Sequence, residues 1–218
     1  MSGMKSNTAD PLFKEIELMY KEADPAHDFS HIMRVYNNCQ FIGEREGADM
    51  QVLLMAALLH DIGSERKSSE HPEESNAIRL GMAEDFLKNK GIPEKMMSEI
   101  LYAVDVHRFS KGIMPTTLEA KVLQDADRLD AIGAIGIARA FSVGGALGRG
   151  LYDPEGPFCR SRSPDDKIWT LDHFFTKLLK LEPGMHTETA RAMAMRRHAF
   201  LKEYLQELEN EIRDEIDG

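Results

Sequence analysis

His60 and Asp61 stand side by side at the end of a stretch, residues 50–62, that is otherwise apolar nearly all round. An uncompensated buried carboxylate costs several kcal/mol or more, so an aspartate there needs a cation, a hydrogen-bond network or a route to water. Neighbours on a helix diverge by about 100°, yet an imidazole and a carboxylate of different reach can both touch an ion lying between them. A second histidine, His31, lies on the preceding amphipathic segment, within Asp28-Phe29-Ser30-His31-Ile32-Met33-Arg34-Val35. A third segment, Asp125-Ala126-Asp127-Arg128-Leu129-Asp130, again sets carboxylates among apolar residues, with Ile132, Ile135 and Ile137 following. Taken singly, each is also explained as the polar end of a helix.

Together these segments closely resemble the HD-domain superfamily of metal-dependent phosphohydrolases, whose pattern is a His, then His-Asp, then a distant Asp. The likeness spans residues 26–138. Its words, His27-Asp28 through Arg34-Val35 and Asp125 through Gly136, are similar to the small bacterial branch that includes nucleoside triphosphate pyrophosphohydrolase-like members. The resemblance implies that His31, His60, Asp61 and Asp127 hold one divalent cation. It favours Asp127 over Asp125, because the family sets its last ligand just before a basic residue and three before another acid, here Arg128 and Asp130. Asp125 then becomes a neighbouring carboxylate, and Asp130, one turn on, would orient a ligand or water.

Two imidazoles and two carboxylates suit manganese, iron, cobalt, nickel, magnesium or zinc, and no thiolate narrows the choice. Octahedral coordination would leave room for a water and a phosphate oxygen, so attack by activated water is the simplest mechanism. Asp61 is thus expected to serve catalysis as well as binding. Glu65, four residues on, is a candidate base, although Gly63 interrupts the helix that would aim it. Candidate substrate contacts are Arg34, Lys67, His71, His107 and Arg128, with Arg108 in the same group; each would draw an anion towards an acidic protein. The plainer readings are a helix cap for His71, a partner of a helix C-terminus for His107, and local ion pairs for the cations.

Helices must position these groups. Leu, Ala, Met, Glu and Lys dominate the composition, so an all-α bundle is expected, folded as a single HD-type domain with its metal-binding core at about 26–138. Helical patterning marks residues 11–22, 29–45, 50–62, 73–90, 93–106 and 117–141, the last with a break near Ala131. Residues 144–164 carry eight glycines and prolines, Gly144, Gly145, Gly148, Gly150, Pro154, Gly156, Pro157 and Pro164, and read as a mobile loop or lid. Arg149, Arg160 and Arg162 within it would close over phosphates, unless the loop is simply solvated. A helix over 167–180 and a long C-terminal one striped by Met193, Phe200, Tyr204, Leu208 and Ile212 complete the chain.

A net charge of -10 argues against coating a nucleic acid polymer or an anionic membrane. Two cysteines, Cys39 and Cys159, form no paired motif, and no run of about 18 apolar residues occurs, so a cytoplasmic monomer or homodimer is expected. The expected substrate is a small phosphorylated molecule, by resemblance a nucleotide: a triphosphate cleaved to monophosphate and pyrophosphate, or a 5'-monophosphate dephosphorylated. The alternatives are a nucleotide-binding regulatory module that turns nothing over, and a cyclic nucleotide phosphodiesterase.

Overall fold

The apolar stretch before His60 forms a helix, Met50–Leu59, that buries Val52, Leu53, Ala56, Ala57, Leu58 and Leu59. Asp49 starts it by accepting hydrogen bonds from the amides of Gln51 (2.9 Å) and Val52 (3.3 Å), donors that a helix start leaves without partners. The computed structural model describes residues 10–21, 28–63, 72–108 and 112–214. Among the described residues the α-helices are α1 (Pro11–Met19), α2 (Phe29–Glu46), α3 (Met50–Leu59), α4 (Pro72–Asn89), α5 (Glu94–Val106), α6 (Leu118–Asp130), α7 (Gly133–Ala146), α8 (Asp172–Thr176) and α9 (Glu188–Asp214). Strand-like pairing there is limited to one bridge between Gly150 and Trp169, so the fold is all-α.

Backbone packing divides the chain into two units, Met1–Asp127 and Arg128–Gly218, with the boundary inside α6. In the first, α3 packs against α2 and α5, and α4 packs against α5. Helix α2 buries Ile32, Val35, Cys39 and Ile42, the stripe expected of it, together with Tyr36. Its cap, Asp28, accepts from the His31 amide at 2.9 Å, so the residue that starts the helix also fixes the histidine in its first turn. Helix α3 runs into a turn closed by Gly63 at φ 70°. A Cβ at that position would lie 2.9 Å from Met82 Sδ, so backbone and neighbour both require glycine.

In the second unit α7 packs against α9. Phe141 (α7), Phe174 (α8) and Tyr204 (α9) cluster with ring centroids 5.9 to 6.3 Å apart. The helix expected over 167–180 shrinks to α8 and a short 3-10 turn, Leu178–Lys180. Other bonds compete with it: Asp165 accepts from the Lys167 amide (3.0 Å), Asp166 from Thr176 Oγ1 (2.8 Å), and the backbone of Ile168, Thr170 and Leu171 pairs with Gly150 and Leu151 in place of helical bonding. Of the stripe expected on α9, Met193, Tyr204, Leu208 and Ile212 are half-buried and Phe200 is 44% exposed, while Ala190, Ala194 and Leu201 form its fully buried line. The break near Ala131 falls between α6 and α7 as expected.

Residues 147–171 are irregular, but two of the three arginines expected to close over phosphate, Arg160 and Arg162, are engaged within the unit. Arg162 forks onto Asp172 (2.6 and 2.8 Å), whose carboxylate also accepts from the Asp165 amide (2.6 Å) and Cys159 Sγ (3.4 Å). Arg160 forks onto Glu209 of α9 at 2.7 and 2.6 Å. Gly144 of α7 has no room for a side chain, since a Cβ would meet Thr170 Oγ1 at 2.1 Å.

Asp172 is fully buried, and removing its arginine leaves an uncompensated charge. Arg162→Met is therefore expected to lower the unfolding free energy of this segment by about 3 kcal/mol, read from urea titration. A loss below about 0.5 kcal/mol would mean that the pair behaves like an exposed one.

Candidate metal centre

Three helices deliver the proposed ligands to one point of the first unit. His31 Nε2 and His60 Nε2 are 3.2 Å apart; Asp61 Oδ2 lies 3.7 Å from each, and Asp127 Oδ1 lies 3.6 Å from His31 Nε2. Ligand atoms of His31, His60 and Asp127 all fall within 4.8 Å of one another. His31, His60 and Asp61 are buried, while the Asp127 side chain is 31% exposed and marks the open side.

The donor set fits a divalent cation. His60 Nδ1 lies 2.8 Å from the carbonyl oxygen of Ala57, which places the ring proton on Nδ1 and turns a bare Nε2 lone pair towards His31. Burial pulls the His60 pKa down to about 3, with His107 and His31 acting in the same sense and Asp61 and Asp127 opposing, so the ring is neutral. Ligands bonded at about 2.1 Å around one ion stand roughly 3 Å apart along the edges of its coordination shell, close to the separations here. Burial raises the Asp127 carboxyl, but the histidines around it, His31 foremost, outweigh that and keep it below its ordinary range, ionised as a ligand must be. Burial first, then Asp127 and Asp125, push the nearby Cys39 thiol well up, so it stays protonated and the donors remain nitrogen and oxygen.

His107 joins this cluster. Its ring is 5.2 Å from that of His60, its Nδ1 meets the Val104 carbonyl oxygen at 2.6 Å, and its Nε2 lies 3.8 Å from Asp61 Oδ1. Arg108 donates to that same oxygen at 3.0 Å, which leaves Oδ2 to face the histidines. Asn38 ties α2 to the Ala126 carbonyl beside Asp127 at 3.3 Å, and Gln124 bonds the Val106 carbonyl at 3.1 Å where α5 ends.

Other expected site residues are engaged elsewhere. Asp130 binds Arg139 at 2.8 Å, and Arg128 donates to the Gly184 carbonyl, both within the second unit. Arg34 donates to Ser30 Oγ at 2.9 Å. Asp125 is buried next to Asp127. Glu65, Lys67 and His71 lie outside the described residues. Sequence reasoning did not single out Arg79, a buried residue of α4 whose charge interacts with those of Arg108 and Asp61. The available signal was its place in the series Ser75, Arg79, Ala83, Phe86, a helical stripe in which a charge is out of keeping.

A model of the HD domain matches residues 28–132. The chain is 34% identical over 203 residues to the uncharacterized protein YpgQ of Bacillus subtilis, covering 90% of each. A crystal structure of that YpgQ in complex with ADP is similar with a TM-score of 0.72 and 35% identity, covering 91% of this chain and 97% of the other. A crystal structure of an HD-superfamily hydrolase from Bacillus thuringiensis is similar with a TM-score of 0.70 and 33% identity, covering 91% and 93%.

The depressed His60 pKa fixes a sign for the metal-stripped protein. Between about 3 and 6.5 only the unfolded chain takes up this proton, so stability falls as the pH falls through that window and levels off below it. From pH 6.5 to about 5 the loss from this residue is about 2 kcal/mol. Urea unfolding of wild type and His60→Asn at both pH values checks it, since the variant lacks that part of the slope; parallel slopes would mean that His60 is protonated in the fold.

Proposed function

Because the chain belongs to the HD-domain phosphohydrolase superfamily, we propose that it hydrolyses a phosphate ester or anhydride, using one divalent ion held by His31, His60, Asp61 and Asp127. The observation that carries this reading is the meeting of the His31 and His60 nitrogens 3.2 Å apart, with an Asp61 oxygen 3.7 Å from each and an Asp127 oxygen 3.6 Å from His31. When bound, the ion supplies Lewis acidity towards a phosphoryl oxygen and makes water more acidic. The protein's own part is positioning. Arg108 holds Oδ1 of Asp61 and His60 is aimed by Ala57, so the ligand atoms are set before substrate arrives. Arg108, 3.0 Å from Asp61 and 26% exposed, supplies positive charge beside the ligands.

The proposed substrate is a nucleotide. The crystal complex of B. subtilis YpgQ with ADP supports this, as does the family resemblance in the words around the ligands. Cleavage of a triphosphate to monophosphate and pyrophosphate and dephosphorylation of a 5'-monophosphate are separated by their product masses.

The test loads the purified chain with each candidate metal and offers a panel of nucleoside mono-, di- and triphosphates. Asp127→Asn is expected to lose its metal and to lower kcat/KM by more than about 100-fold, because partners that merely orient ligands already cost about 10- to 100-fold. Arg108→Ala is expected within that smaller range. If wild type and Asp127→Asn both bind nucleotide and neither releases product with any metal, the chain is a binding module and the hydrolase reading fails.

A further inference from the structure

One buried charge stands apart from the metal ligands and the groups that orient them. Arg79 of α4 is 1% exposed, and none of its three guanidinium nitrogens, Nε, Nη1 or Nη2, has a hydrogen-bond partner. Other arginines in the interior keep at least one acceptor: Arg139 has Asp130, Arg162 has Asp172 and Arg128 has the Gly184 carbonyl, with only Nε of Arg139 and of Arg128 left over, whereas Arg79 lacks a partner at all three nitrogens. A guanidinium carries five N–H donors and a full charge, and to bury it with nothing to accept them is among the costliest arrangements a fold can keep. A single water could take up a donor but not the charge. The arrangement makes sense when an anion arrives.

The surroundings say which anion and where. The stem of Arg79 lies against the turn that follows the His-Asp pair, for a Cβ built on Gly63 would stand 3.4 Å from Arg79 Cγ. Burial brings its pKa down to about 10, with Arg108 acting in the same sense and Asp61 and Asp105 against, so it is a cation at neutral pH and lies within the field of the metal centre. Neither carboxylate neutralises it by contact. Asp61 is taken by Arg108 and faces the histidines, and Asp105 accepts from Asn76 Nδ2 at 2.8 Å. Two arginines thus act on Asp61, Arg108 by contact at 3.0 Å and Arg79 at longer range, which leaves an excess of positive charge near a centre proposed to act on phosphate.

We propose that Arg79 is a phosphate-binding residue of this site, its planar fork gripping the oxyanion that the metal centre works on, with Arg108 as the second cation. The inference rests on the hydrolase reading above and adds to it the residue that anchors the anion. Arg108 is 26% exposed and Arg79 1%, so an incoming anion would meet Arg108 first and Arg79 deeper in the site.

The test uses the full chain and two variants, Arg79→Met, which keeps the stem without the charge, and Arg79→Lys, which keeps the charge without the fork. Calorimetric titration with ADP, and separately with pyrophosphate, is paired with metal content and with Tm measured without ligand. Arg79→Met is expected to weaken binding by about 10- to 100-fold, to keep its metal, and to show an unchanged or higher Tm, since an unsatisfied buried charge has been removed. Arg79→Lys is expected to fall between it and wild type. A lowered Tm or failure to fold in both variants would make the residue structural and overturn the proposal, as would binding within twofold of wild type. If wild type binds pyrophosphate but no nucleotide and Arg79→Met loses it, the nucleotide reading fails while the assignment of Arg79 stands; if wild type binds neither, the assignment fails too.

Discussion

The site depends on the crowding of polar groups at one buried point. His60 spends its proton on the Ala57 carbonyl, so its other nitrogen presents a lone pair to His31 across 3.2 Å, with carboxylate oxygens of Asp61 and Asp127 closing in from the sides. Acceptors crowded in this way repel unless a positive group lies between them, and in an interior that screens poorly the effect is strong. The helices that carry these groups, α2, α3 and α6, hold them together, and a small cation would turn each such contact into a bond. Much of the first unit serves to hold these atoms close: Asp28 caps α2 at His31, the apolar α3 delivers His60 and Asp61 to a buried turn, and Asn38 ties α2 to the backbone next to Asp127.

Around this core lies a layer of groups that do not meet the ion but decide how the ligands stand. His60 and His107 both turn Nδ1 to a carbonyl oxygen three residues back in their own helix, so each presents Nε2. Asp61 is divided between Arg108 on one oxygen and the histidines on the other. Such partners set ligand orientation and basicity and contribute to affinity beyond the ligands themselves. The Cys39 thiol, kept protonated by burial and by Asp127 and Asp125, leaves the site to harder donors.

How much of this was legible in the sequence depended on whether a residue broke a local rule. His60 and Asp61 ended the most apolar helix, and the acids of α6 sat within a buried stripe, so each announced a need for compensation that its neighbours could not meet. Arg128 and Asp130 broke the same rule and invited the same inference, yet their partners, Gly184 and Arg139, come from later segments that no spacing near α6 reveals. The helix expected over 167–180 failed because hydrogen bonds to Asp165 and Asp166 and backbone pairing with Gly150 and Leu151 outweighed apolar periodicity. Arg79 stayed hidden for the opposite reason, since one charge on a mixed helix reads as surface until its burial is seen.

The two units handle buried charge differently, and the contrast separates architecture from function. In the second, each prominent buried carboxylate has its own arginine: Asp172 has Arg162, Asp130 has Arg139 and Glu209 has Arg160. Those pairs are closed accounts, complete without any ligand. In the first unit the charges do not cancel by contact: imidazoles and carboxylates crowd one point, and a guanidinium nearby has no acceptor at all. The first unit thus keeps a fully unpartnered guanidinium close to crowded ligand-type groups, a combination that a bound ion or anion would complete. Any ion or anion that completes the set then stabilises the folded chain by as much as it prefers that chain to the unfolded one.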